Sequence, residues 1–133
     1  MRAYVTRSTI GAPLTLDERR NFYPASLACA ISWTLQGETE LVQVGDQLFH
    51  AMAPSPVMFT GPHLLPCETR NPGPVEFFLL VFMPDAFHAL TGVDLFAHTN
   101  QHRPLNCLRL VSAWLAEQDD EWMTAKIYLN MKP

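Results

Sequence analysis

The sequence predicts a mainly β, α+β fold: a β-sandwich or barrel with helices appended to one face. Three observations carry this expectation. Eleven prolines and six glycines in 133 residues cut the chain into short segments, which favours strands over a helical bundle. From Ser26 to Gln36, large residues (Leu27, Cys29, Ile31, Trp33, Leu35) alternate strictly with small or polar ones (Ser26, Ala28, Ala30, Ser32, Thr34, Gln36). A period of two is the mark of a strand. Helical signals begin only at Pro84, so strands and helices are segregated along the chain rather than alternating.

The elements follow in order. The N-terminal MRAYVTRSTIG has no signal-peptide core and reads as a first strand. The long strand ends at Gly37-Glu38, and Glu40 to Val44 begins another. Gly45-Asp46 fits a two-residue hairpin turn that needs a positive φ at its first central position, and Gln47 to Met52 returns as the partner. Val57 to Thr60 is a strand bracketed by Pro54, Pro56 and Pro62, and Leu65 to Arg70 is another, closed by the Asn71-Pro72-Gly73-Pro74 turn. Val75 to Met83 is apolar on both faces, so it must be covered by a sheet interior on one side and a helix on the other.

Pro84 suits the first turn of a helix, because its missing N–H costs nothing there. Phe87 and Leu90 form an i, i+3 apolar pair, and Gly92 suits a left-handed C-terminal cap. A second short helix begins after Asp94. A longer one is expected over Leu105 to Gln118, with Leu108, Val111 and Leu115 on one stripe. Asp119-Asp120-Glu121 opens a last helix running to about Met131.

Composition narrows the function classes. An apolar fraction of 48% and a charged fraction of 17% describe an ordered, globular chain of one-domain size. No apolar run approaches the roughly 18 residues of a membrane span, so a cytoplasmic protein is expected. The net charge of −4 and scattered Lys and Arg residues argue against this chain gripping nucleic acid by itself. Cys29, Cys67 and Cys107 read as reduced thiols that behave as small buried hydrophobes.

Chemistry-bearing constellations are sparse. There is no G-x-S-x-G elbow and no phosphate-binding G-x-x-x-x-G-K-[ST] loop. His63 and Cys67, read as i and i+4 of one strand, would lie about 13 Å apart, too far for direct proton transfer. His98 and His102 are four apart, but Asn100 and the Arg103-Pro104 break interrupt any shared helix, so both are expected to be exposed or capping. What remains is an apolar interior rich in aromatics. Trp33, Phe49, Met58, Phe59 and Phe77 are the candidate ligand-lining residues, although a plain core uses the same residue types. Ala28, Ala30 and Ser32 leave room for either a packed helix or a ligand. No catalytic residue is expected.

Three motifs occur in a fixed order: Thr60-Gly61-Pro62, the Asn71 to Val75 stretch NPGPV, and the Pro84 to Gly92 stretch PDAFHALTG. With WTLQGE at Trp33 to Glu38, they resemble the N-terminal sensor domain of AraC-type transcriptional regulators. The resemblance implies a cupin-like, jelly-roll β-barrel followed by about three to four helices. It divides the chain into a barrel sensor domain over residues 1–104 and a helical pair over residues 105–133. The implied role is regulatory: sensing a small-molecule effector, dimerising, or both. No enzymatic activity, cofactor or membrane is involved, and DNA is reached only through a helix-turn-helix domain that this chain lacks. Trp114, Trp122, Met123, Ile127 and Met131 offer more apolar surface than a barrel flank covers, which marks them as a homodimer interface. The alternative is a stand-alone cupin-like, metal-dependent isomerase or dioxygenase. Its His/Glu pattern is incomplete, because His63, Leu65 and Glu68 supply a single His where two are usual, and nothing compels His50 to join. No metal site is therefore expected.

Overall fold

The computed structural model describes residues 2–7 (backbone only), 13–49, 55–105 and 109. Among these residues nine strands run in chain order: β1 (Arg2–Arg7), β2 (Arg20–Tyr23), β3 (Cys29–Gln36), β4 (Glu40–Val44), β5 (Gln47–Leu48), β6 (Val57–Thr60), β7 (Cys67–Arg70), β8 (Glu76–Phe82) and β9 (His102–Pro104). They form two antiparallel sheets, a larger one ordered β1-β8-β3-β6-β9 and a smaller one ordered β2-β7-β4-β5. From β2 to β8 the chain passes back and forth between them, which sets the two sheets face to face.

This corrects the expected architecture. Among the described residues the sheets do not close into a barrel: each keeps two edge strands, and one isolated bridge, Ser26 to His63, stands outside the named strands. Among the described residues the expected three to four helices are not seen: one full α-helix, α1 (Pro84–Thr91), is accompanied by short 3-10 turns at Asp17–Arg19 and Leu95–His98. Apart from Leu105 and Arg109, the expected helix over 105–118 lies outside the described residues, as do the whole of the one over 121–131 and Trp114, Trp122, Met123, Ile127 and Met131. No helix among the described residues is long and apolar enough to cross a membrane.

The alternation in β3 decides what packs where. Cys29, Ile31 and Trp33 join Phe59 from β6 and Phe78, Leu80 and Phe82 from β8 on one face of the larger sheet. Helix α1 covers that face with Phe87, whose ring contacts Phe59 and Phe82 at centroid distances of 5.3 and 5.2 Å. Val93, Leu95 and Leu105 complete this core. Leu90, expected to pair with Phe87, is exposed, because so short a helix turns only one edge to the sheet. The helix ends as its residues dictate. Pro84 opens it, and Gly92 closes it at φ 70°, donating its N–H to the His88 carbonyl at 2.7 Å. The Gly45-Asp46 hairpin likewise forms with a positive φ at Gly45.

The smaller sheet follows the same period of two. In β7, Glu68 and Arg70 alternate with Cys67 and Thr69. The Arg20 guanidinium grips Glu68 through Nε and Nη2, and Nε and Nη2 of Arg70 donate to Glu40 Oε2 at 2.9 and 2.7 Å. Leu41, Val44 and Cys67 form a second small cluster, with Phe49 packed against it.

The helix-side core sets the stability of the fold. Phe59 is fully buried at the crossing of β3, β6 and α1. Phe59→Ala is expected to lower unfolding free energy by about 3–5 kcal/mol in urea titrations. Trp33→Ala should cost less, because Trp33 is only half-buried at the edge of the same cluster.

Candidate functional site

The small-residue face of β3 looks across at the other sheet, and there the two sheets fail to meet. Ala28, Ala30, Ser32 and Thr34 form one wall of a cavity of about 740 Å³. Phe77, Leu79 and Val81 of β8 extend that wall, with Met58 and Thr60 of β6 and His102 of β9 beside them. Leu41 of β4 and Cys67 and Thr69 of β7 face them from the smaller sheet, and His63 comes from the loop between β6 and β7. Facing sheets normally fill this space with interdigitating side chains. Here the central strand, β3, contributes only small residues, so the space stays open.

The expected ligand-lining residues are divided by this arrangement. Met58 and Phe77 line the cavity. Trp33 and Phe59 lie on the opposite, helix-covered face of the sheet, and Phe49 packs on the small Leu41–Val44–Cys67 cluster. The correction has one physical cause. The large side chains of β3 go to the helix, so the interior between the sheets belongs to the small ones, and Ala28, Ala30 and Ser32 make room for a cavity rather than a helix.

At one end of the cavity, three groups converge that sequence reasoning kept apart. One donor atom from each of His63, Cys67 and His102 lies within 4.8 Å of the others. The 13 Å separation expected for His63 and Cys67 assumed a continuous strand. The chain instead bends at Leu64 and Leu65, and β7 starts only at Cys67, after Pro66. The framing prolines, Pro62 and Pro66, were the available signal, since a proline cannot donate to a strand ladder. Glu68, the carboxylate of the expected His/Glu pattern, points the other way, to Arg20.

His63 is held by its backbone. Its N–H donates to the Ser26 carbonyl at 2.7 Å, and its own carbonyl accepts from the Ser26 N–H at 2.8 Å. Its ring is buried, and among the described residues neither ring nitrogen finds a partner. His102, expected to be exposed or capping, has Nδ1 3.0 Å from Thr60 Oγ1, with Nε2 buried and unpartnered. The two rings lie 4.9 Å apart. Burial, reinforced by nearby His63, depresses the His102 pKa to about 4, and burial also lowers that of His63. The Cys67 thiol is pushed up by the same desolvation. At neutral pH the cluster is therefore uncharged: two neutral imidazoles and a thiol.

Asn100 fixes the loop that carries His63. It adopts φ 57° and donates its N–H to the Pro62 carbonyl at 2.8 Å. Its Oδ1 accepts from the N–H groups of Leu64 and Leu65 at 2.8 and 3.1 Å.

Comparison with known proteins adds little. No family model matches the chain, and no solved structure matches it. A segment of 30 residues, 23% of the chain, is 73% identical to part of a transposase for insertion sequence element IS406 from Burkholderia multivorans (strain ATCC 17616 / 249). The chain spans 8% of that protein's length, too little to show a family. Nothing in these comparisons points to an AraC-type domain, and the expected membership is corrected accordingly. The motifs behind it have local explanations. Gly92 is a helix cap. A side chain at Gly61 would strike the His98 carbonyl, and one at Gly37 the Pro74 carbonyl. Such residues report tight turns and close backbone approaches, which unrelated β folds share.

Asn100→Ala should loosen the His63 loop, because it removes two side-chain hydrogen bonds and replaces asparagine, which tolerates a positive φ, with a residue that tolerates it less well. The expected result is faster hydrogen exchange at the Leu64 and Leu65 amides, with exchange in the β3–β8 ladder unchanged.

Proposed function

We propose that the chain is a small-molecule-binding module, with effector sensing rather than catalysis as its role. The single observation that carries this is the cavity between the sheets. Its 740 Å³ falls within the roughly 300–1,000 Å³ typical of ligand sites. Apolar residues from β4, β6 and β8 dominate its walls, and a few hydroxyls and imidazoles can orient a bound molecule. Among the described lining residues there is no Lys or Arg, the one carboxylate, Glu38, is exposed to solvent, and burial keeps the imidazoles neutral at physiological pH. The ligand class that fits is therefore a neutral, largely apolar molecule bearing one or two hydrogen-bonding groups.

Self-association through residues 105–133, and contact with DNA through a further domain, belong to the same reading as proposals without support from the described residues. A reducing, cytoplasmic setting belongs with it too, supported by the free buried thiols of Cys29 and Cys67. A second reading, a metal-dependent enzyme, draws on the three donors at the end of the cavity. Substrate turnover dependent on all three would favour it over binding alone.

The neutral naphthalene dye prodan serves as a probe of the cavity. A saturable, blue-shifted signal with one dye per chain is expected. Ala30→Phe, which fills the cavity from its wall, should weaken that binding by at least about tenfold, or 1.4 kcal/mol. Binding indifferent to Ala30→Phe, in a variant with an unchanged circular dichroism spectrum, would remove the cavity from the role.

A further inference from the structure

We propose that His63, Cys67 and His102 form a zinc-type metal site on the wall of the cavity, with a fourth coordination position facing the cavity. The inference goes beyond the binding of an organic ligand and does not depend on it.

Geometry comes first. The three donors arrive from three separate pieces of chain: the β6–β7 loop, the first residue of β7 in the smaller sheet, and the first residue of β9 in the larger one. Tetrahedral zinc, with bonds of about 2.0–2.1 Å to nitrogen and 2.3 Å to sulfur, places its donors roughly 3.3–3.7 Å apart. The observed donors lie within 4.8 Å of one another. Side-chain rotations that draw each donor inward by about 1 Å or less would close the shell, without moving the strands that hold them.

The orphaned atoms are the second, independent observation. Buried polar groups are normally paired, and an unpaired one costs free energy. Yet His63 Nδ1, His63 Nε2 and His102 Nε2 are buried without partners among the described residues. His63 is 5% exposed, and its ring lines the cavity beside the other two groups. A metal ion would satisfy one nitrogen of each ring at once.

The surroundings match what a coordinating histidine needs. A metal-bound imidazole usually has its other nitrogen held by a hydrogen bond, which fixes the tautomer. Thr60 Oγ1, opposite His102 in the β6–β9 ladder, sits 3.0 Å from His102 Nδ1, leaving Nε2 as the ligand atom. The donor set also selects the metal. One thiolate and two imidazoles suit zinc, whereas calcium and magnesium want oxygen ligands. The nearest carboxylate in sequence, Glu68, faces outward to Arg20. Three protein ligands leave the open position seen where zinc also takes water or a substrate. Because the donors come from both sheets, the metal would tie the sheets together and stabilise the folded chain.

Cobalt(II) titration of the metal-free protein tests this directly. Tetrahedral cobalt bound through a thiolate gives a near-ultraviolet charge-transfer band and intense visible bands. One equivalent is expected to saturate them. The bands should persist in a Cys29→Ala, Cys107→Ala background and vanish when Cys67→Ala is added. Thr60→Val should weaken cobalt binding about 10–100-fold, and His102→Gln by more. Zinc should raise the melting temperature of the wild type and leave that of His102→Gln nearly unchanged. Absence of the charge-transfer band, its survival in Cys67→Ala, or its dependence on Cys29 or Cys107 would each overturn the site. Prodan binding to the metal-free protein reads the cavity separately, so failure of the metal site and failure of the ligand reading are distinguishable.

Discussion

Everything in this fold depends on β3 sending its large side chains one way and its small ones the other. The large face meets α1 and builds the main core from Cys29, Ile31, Phe59, Phe78, Leu80, Phe82 and Phe87. Fully burying such side chains is worth about 1.5–3 kcal/mol each, so the stabilising burial is concentrated on the side away from the second sheet. The small face is thereby free to leave space. That space is partly open to solvent, so it is not a sealed dry void. It must hold solvent or a ligand, and the hydroxyls and imidazoles on its walls are the groups that would meet either.

The smaller sheet divides its labour in the same way. Along β7, Cys67 and Thr69 turn to the cavity while Glu68 and Arg70 turn to the other face of the sheet, where Arg20 and Glu40 pair with them. The Arg20 guanidinium beside Glu68 holds its carboxyl below the ordinary carboxylate range. That pairing keeps the Glu68 charge away from the buried end of the cavity, where His63 and His102 sit. Desolvation then keeps His63 and His102 neutral. The result is a buried end of the cavity that offers apolar contact and directed hydrogen bonds, with the Glu38 carboxylate left at the solvent-exposed part of the lining.

How much of this was legible in the sequence follows from the range of each signal. Strand β3, the two apolar faces of β8, the Gly45 turn and the Gly92 cap are fixed by neighbours a few residues apart, and the sequence displays them directly. Which face of β3 would meet a helix was not legible, because Cys29, Ile31 and Trp33 suit a sheet interior as well as they suit Phe87. Reading the large face as the ligand wall put Trp33 and Phe59 on the wrong side of the sheet. Closure of the sheets into a barrel was equally out of reach, since no local pattern distinguishes an edge strand such as β9 from an interior one. The convergence of His63, Cys67 and His102 depended on how the chain turns between strands, and periodicity carries no information about that.

Those turns are what make the site a site. His63 sits on no named strand. Its backbone is bridged to Ser26 on one side, and Asn100 clamps the residues flanking it on the other. Asn100 also reverses the chain between the Leu95–His98 turn and β9, so the residue that steadies the His63 loop is the one that delivers His102 to its place opposite Thr60. Asparagine is well suited to this double task. It tolerates a positive φ better than most residues, and its side-chain oxygen can accept from two successive backbone N–H groups. A glycine would keep the reversal and lose the clamp, whereas an alanine would lose the clamp and strain the reversal. The two histidines are therefore positioned by one residue that hydrogen-bonds to neither of their rings, and the cysteine is added by the start of β7 immediately beyond the clamped loop. Sequence spacing alone hides such a site, while the hydrogen-bonding pattern of a single loop residue exposes it.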